Sequence, residues 1–139
     1  MSISLNVEPA SIQVNATGGT VTMNLTNTGH ERLAFKIKCN NNSLYMFKPV
    51  LGIIGMGQNR QVDVVRSYGS AGDSKLVINY LPAPLGVYDP KIPFAKSNTT
   101  PMTVTIPIKA VTQEINAPTP AEVANQTSYV GTLVPQAPM

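Results

Sequence analysis

Residues 25–57 read LTNTGHERLAFKIKCNNNSLYMFKPVLGIIGMG, and the periodicity of this stretch decides the fold class. Leu33, Phe35, Ile37 and Cys39 alternate with Ala34, Lys36 and Lys38, the period-2 pattern of a strand with one buried and one solvated face. The solvated face is basic. Asn27-Thr28-Gly29 supplies a turn before this strand, and Asn40-Asn41-Asn42 supplies one after it, because Asn and Gly tolerate left-handed backbone. A second alternating run then places Tyr45 and Phe47 opposite Met46 and Lys48, and Pro49 ends ladder pairing. The two runs read as neighbouring strands with a shared core face. Gly52, Gly55 and Gly57 follow no helical period and read as a loop crossing between sheets.

The same pattern extends outward in both directions. Residues 3–8 alternate Ile3, Leu5 and Val7 against polar neighbours, and Pro9 marks an edge position. Residues 11–15 repeat the alternation, and Thr17-Gly18-Gly19 turns the chain into Thr20–Asn27, with Val21, Met23 and Leu25 on its apolar side. Downstream, 61–66 turns Val62 and Val64 inward, and 75–80 does the same with Leu76, Ile78 and Tyr80. In 102–110, Met102, Val104, Ile106 and Ile108 point inward, and Pro107 suggests an edge or a bulge. Residues 82–101 carry prolines and read as a long surface connection. No stretch shows a 3.6-residue period. About seven or eight short strands at turn spacings of roughly 8–12 residues predict an all-β, immunoglobulin-like sandwich over 1–110. Residues 111–139 are Pro-rich, aperiodic and poor in large apolar side chains, which predicts an extended or disordered tail.

Composition narrows the function. The 139 residues suit one domain, and charged residues make up only 12% of the chain, so the surface is rich in Asn, Ser and Thr. All ten Lys and Arg lie before residue 111 with five of the seven acids, leaving the body basic and the tail acidic. That imbalance favours an acidic protein partner and falls short of the basic stripes of a nucleic-acid binder. No apolar run is long enough to span a bilayer, and the first residues lack a signal-peptide pattern, so a cytoplasmic protein without membrane insertion is expected.

Catalytic and metal chemistry lack candidates. His30 is the single histidine and Cys39 the single cysteine, which leaves no His/Cys metal set and no disulfide. The glycines at 52, 55 and 57 lack the Lys-Ser/Thr and helix of a phosphate loop. No carboxylate pair shares a strand face. Neither enzyme activity nor a cofactor is expected. The positive candidate is a basic patch of Lys36 and Lys38, joined by Lys48 and Lys75 if their strands pair nearby, as a surface for an acidic or phosphorylated segment.

Taken together, Val7-Glu8-Pro9, Leu25-Thr26-Asn27-Thr28-Gly29, Ala34-Phe35-Lys36-Ile37-Lys38-Cys39, Tyr45 with Lys48-Pro49, and Asp73-Ser74-Lys75-Leu76 resemble the major sperm protein domain, in particular its small nematode sperm-specific members. The resemblance covers roughly residues 3–110. It implies a seven-stranded immunoglobulin-like sandwich of the PapD-like type, without enzymatic activity. It further implies a cytoskeletal role in nematode sperm, forming, binding or modulating the filaments that drive amoeboid motility in the pseudopod. Partners would be those filaments or related domains, and strand-edge pairing makes a homodimer an expected form. Receptors in the wider family bind acidic, phosphate-bearing peptides on a basic face, which falls here on Lys38, Asn40, Lys75 and Val77; Asn40 replaces a threonine of those receptors.

Overall fold

The computed structural model describes residues 3–96, 98 and 100–112, so the tail expected over 111–139 lies, from residue 113 on, outside the described residues. The chain forms β1 (Leu5–Glu8), β2 (Ile12–Asn15), β3 (Gly19–Asn27), β4 (Leu33–Cys39), β5 (Tyr45–Lys48), β6 (Leu51–Ile54), β7 (Asn59–Arg66), β8 (Gly72–Pro82), a short helix α1 (Lys91–Lys96), and β9 (Met102–Val111). A four-stranded sheet has the order β1-β3-β7-β5 and a five-stranded sheet the order β2-β9-β8-β4-β6. All pairings are antiparallel except β2 with β9.

At two of the crossings from one sheet to the other only two or three residues separate the strands. β1 and β2 are separated by Pro9, and β5 and β6 by Pro49; both prolines follow cis peptide bonds. A proline cannot donate to a ladder, so each stands where the strand leaves one sheet before joining the next. Counted as continuous strands, the nine segments are seven, in agreement with the expected sandwich.

The inward faces meet in one core. Met23, Leu25, Leu33, Phe35, Val62, Leu76 and Ile78 are each fully buried, and burial of such a side chain is worth roughly 1.5–3 kcal/mol. The alternation that identified the strands is the alternation observed: β3 reads Met23 and Leu25 buried, β5 reads Tyr45 and Phe47 buried, and β4 exposes Lys36 and Lys38.

Each end of the sandwich is tied by one buried polar side chain. At one end Asn27, 0% exposed, donates from Nδ2 to the carbonyls of Glu31 (2.7 Å) and Ile54 (3.0 Å), while Oδ1 accepts from the Gly29 N–H (3.0 Å). It joins the β3–β4 turn to the end of β6. At the other end Arg66, 4% exposed, donates from Nε to the Ser67 carbonyl (2.8 Å), from Nη1 to the Tyr45 hydroxyl (3.0 Å), and from Nη2 to the carbonyls of Ser70 (2.7 Å) and Ala16 (3.4 Å). Its guanidinium also lies 5.2 Å from the centre of the Tyr45 ring. Every hydrogen-bond acceptor is neutral, and together these bonds tie the β2–β3 and β7–β8 loops to the start of β5.

Several expectations are corrected. The runs 33–39 and 44–48 are not neighbours: β4 and β5 lie in opposite sheets, because residues 40–44 carry the chain across. The glycine run is not wholly a loop, since Leu51–Ile54 is β6, paired with β4. Gly52 fits there because a Cβ at that position would lie 2.7 Å from Cε2 of the buried Phe35. Ala34, expected in solvent, is buried opposite Leu81. That patch belongs to a small second cluster at the end of the outer face, where α1 packs on β8 with Pro93 buried, so the 82–101 connection is partly ordered structure. Arg32 holds the connection down, donating to the carbonyls of Ala83 (3.3 Å), Pro84 (2.8 Å) and Val87 (3.0 Å) and stacking on Tyr88. Met102, expected inward, is 50% exposed, because β2 begins only opposite Ile108 and, among the described residues, no strand flanks the first half of β9.

Two substitutions test this packing by urea unfolding. Gly52→Val drives a side chain into Phe35 and should cost about 1–3 kcal/mol. Arg66→Met leaves the buried Tyr45 hydroxyl and the part-buried Ser67 and Ser70 carbonyls without this donor, while the Ala16 carbonyl keeps the Gly69 N–H, and should cost at least about 2 kcal/mol.

Candidate partner-binding face

The outer face of the five-stranded sheet is where the predicted patch resolves. On β4, Lys36 stands opposite Asn79 and Lys38 opposite Val77. On β8, Lys75 stands opposite Pro107, and Asp73 opposite Lys109 of β9. Alternation therefore puts Lys36, Lys38, Lys75 and Lys109 on one exposed surface. Asn40 extends the ladder past the end of β4: its N–H donates to the Lys75 carbonyl (3.3 Å), and its Oδ1 accepts from the Lys75 N–H (3.0 Å). The side-chain oxygen of Asn40 is thus committed to positioning Lys75, and its amide hydrogens are what it can offer a partner.

Lys48 does not join this group. It lies on β5 in the four-stranded sheet, opposite Asp63, whose Oδ1 accepts from Thr22 Oγ1 (3.0 Å). The chain changes sheets between β4 and β5, so the two lysine-bearing strands face opposite sides of the sandwich. Lys109 takes a place that sequence pattern did not give it. Its outward phase on β9 was legible, but the pairing of β9 with β8 depends on contacts far apart in sequence. Asn27 and Arg66 were missed as well; each ends an apolar alternation in the inward phase, the one available sign that it is buried.

The lysines of this surface can attract anions. Among the described residues no group of three or more His, Cys, Asp or Glu side chains could hold a metal ion. His30 is exposed in the β3–β4 turn. Cys39 is half-buried at the end of β4, its Sγ accepting from the Asn41 N–H at 3.4 Å. Burial pushes the thiol above its ordinary pKa, partly offset by backbone hydrogen bonds from Asn41 and Asn40.

A family model described as the MSP (major sperm protein) domain matches residues 4–103. The chain belongs to the MSP-domain family. Sperm-specific class P protein 10 of Caenorhabditis elegans is 39% identical over 108 residues, spanning 78% of this chain and 98% of that protein. Among solved structures, the MSP-domain sandwich is similar to SSP-19, an MSP-domain protein like family member of C. elegans, at 34% identity and a TM-score of 0.71, covering 76% of this chain and 98% of that one. WR4, a C. elegans MSP family member, matches at 34% identity and a TM-score of 0.72, with 77% and 97% covered. The sandwich is therefore immunoglobulin-like, of the MSP type. Within it, the positions that the resemblance assigns to peptide capture are neighbours: Lys38 faces Val77 across the β4–β8 pair, and Asn40 holds Lys75.

The raised Cys39 pKa has a sign that can be checked. Less thiolate is present at a given pH than for a free cysteine, so alkylation by iodoacetamide at pH 8 should run slower in the folded protein than in urea. Equal or faster alkylation of the folded protein would contradict the burial of the thiol.

Proposed function

We propose that this MSP-domain protein is a non-enzymatic cytoskeletal component of nematode sperm that forms, binds or modulates major sperm protein filaments during amoeboid motility. Its place is the sperm cytoplasm, with the filament system of the pseudopod. The observation that carries the reading is the likeness, over nearly their whole length, to proteins named as sperm-specific. The fold supplies a means of assembly: sheet edges at β1, β2, β5 and β6 offer backbone donors and acceptors to other MSP-domain chains, a second copy of this one included. A basic sheet face complements an acidic partner surface and would hasten its encounter.

A second reading, a peptide-binding adaptor for acidic or phosphorylated motifs, draws on the grouping of Lys36, Lys38, Asn40 and Lys75. The two readings separate by experiment. Co-sedimentation with assembled major sperm protein should bring the protein into the pellet or change filament growth rate; a protein that does neither contradicts the filament role. Lys38→Glu with Lys75→Glu should weaken capture of a phosphorylated acidic peptide at least about tenfold if the face is an adaptor, with a loss of the same kind at high salt. Unchanged affinity contradicts the adaptor reading.

A further inference from the structure

The outer edge of β9 is only half covered. β2 lies beside Ile108–Val111, beginning with Ile12 opposite Ile108, and among the described residues no strand lies beside Met102–Pro107. Two hydrogen bonds fix which backbone groups face that edge. The Asn40 N–H donates to the Lys75 carbonyl, so Lys75, Val77 and Asn79 direct their backbone groups toward β4. Their partners on β9 are Pro107, Thr105 and Thr103. In an antiparallel ladder those partners turn their own N–H and C=O away from β8. The bond from the Ala16 N–H to the Val111 carbonyl (2.8 Å) shows the same parity at the far end of the strand. Thr103 and Thr105 thus present donor and acceptor at the open edge, and Pro107 presents no N–H.

The residues there are close to self-complementary. Pro101-Met102-Thr103-Val104-Thr105-Ile106-Pro107 reads nearly the same in both directions about Val104. A two-fold axis through Val104 sets Thr103 against Thr105 of a second copy, and each such pair exchanges two hydrogen bonds. Met102 then meets Ile106 of the second copy and Val104 meets its own equivalent, on the core side of the sheet. This would cover Met102, which is half exposed, and Val104, which is only partly buried. The prolines at both ends limit the pairing to this window. Sheet edges of monomers are commonly guarded by charge, yet no charged residue occurs between Lys96 and Lys109.

We propose that two copies of this chain dimerise by antiparallel pairing of β9 with β9 about a two-fold axis at Val104, joining their five-stranded sheets edge to edge. The palindrome favours a second copy over an unrelated extended peptide, which would need no such symmetry. The proposal names the edge used in self-association and does not depend on filament binding: a dimer that ignores filaments removes the filament role and leaves the dimer standing.

The test is light scattering on the full-length chain across a concentration series, with two variants. Thr105→Pro deletes an N–H that the β8–β9 ladder does not use, so the thermal melt of the monomer should be preserved. It removes one donor from each copy and should weaken the dimer about thirtyfold. Val104→Cys in a Cys39→Ser background should cross-link under diamide, because facing non-hydrogen-bonded residues have Cα atoms about 4.5 Å apart, within disulfide range; Thr103→Cys should cross-link far more slowly. A dimer whose affinity ignores Thr105→Pro, or whose Val104→Cys form fails to cross-link, overturns the proposal. So does a full-length chain that stays monomeric across the concentration series, whatever the exchange rates of the Thr103 and Thr105 amides.

Discussion

Two apolar sheet faces must be kept against each other while the chain repeatedly leaves one for the other, and the rest of the structure depends on how that is done. Hydrophobic burial holds the faces together without direction. Direction comes from where backbone pairing is allowed to stop. Pro9 and Pro49 lack the N–H that would continue a ladder, and the chain departs for the opposite sheet at each of them. Asn27 and Arg66 then secure the loops at the two ends with hydrogen bonds made in the dry interior, where losing a partner is expensive. With core and ends so committed, the outer faces and the strand edges are the surfaces that remain exposed.

Those surfaces differ in kind. The five-stranded sheet shows lysines at Lys36, Lys38, Lys75 and Lys109, with Asn40 holding one of them in place. The four-stranded sheet shows Thr20, Thr22, Asn24 and Thr26 along β3, with Lys48 facing Asp63 at its margin. One side of the molecule is therefore suited to acidic partners, and the other is close to neutral. The exposed apolar side chains Met56, Leu85 and Tyr88 lie in the loops at the Asn27 end.

Period-2 alternation made most of the strands legible from sequence, because a sheet packed on one side imposes that period directly on side-chain chemistry. β6 escaped: Gly52 reads as a breaker in sequence, whereas in the fold its missing side chain makes room for Phe35. Ala34 escaped because the residue beside it on the outer face is Leu81, 47 positions later, and no local pattern records that pairing. The basic patch was half legible for the same reason. The outward phase of each lysine follows from its own strand, but whether Lys48 or Lys109 shares a face with Lys38 depends on strand order, which is set by the whole chain.

The proposed function assigns partners to the strand edges and to the outer face of the five-stranded sheet. Amide hydrogen exchange on the full-length chain, with and without assembled major sperm protein filaments, tests that assignment most directly. The prediction is slower exchange in the filament-bound state along open strand edges and in the β4–β8 region around Lys38 and Lys75. Unchanged exchange everywhere, or protection confined to the connection around Leu85 and Tyr88, would contradict it.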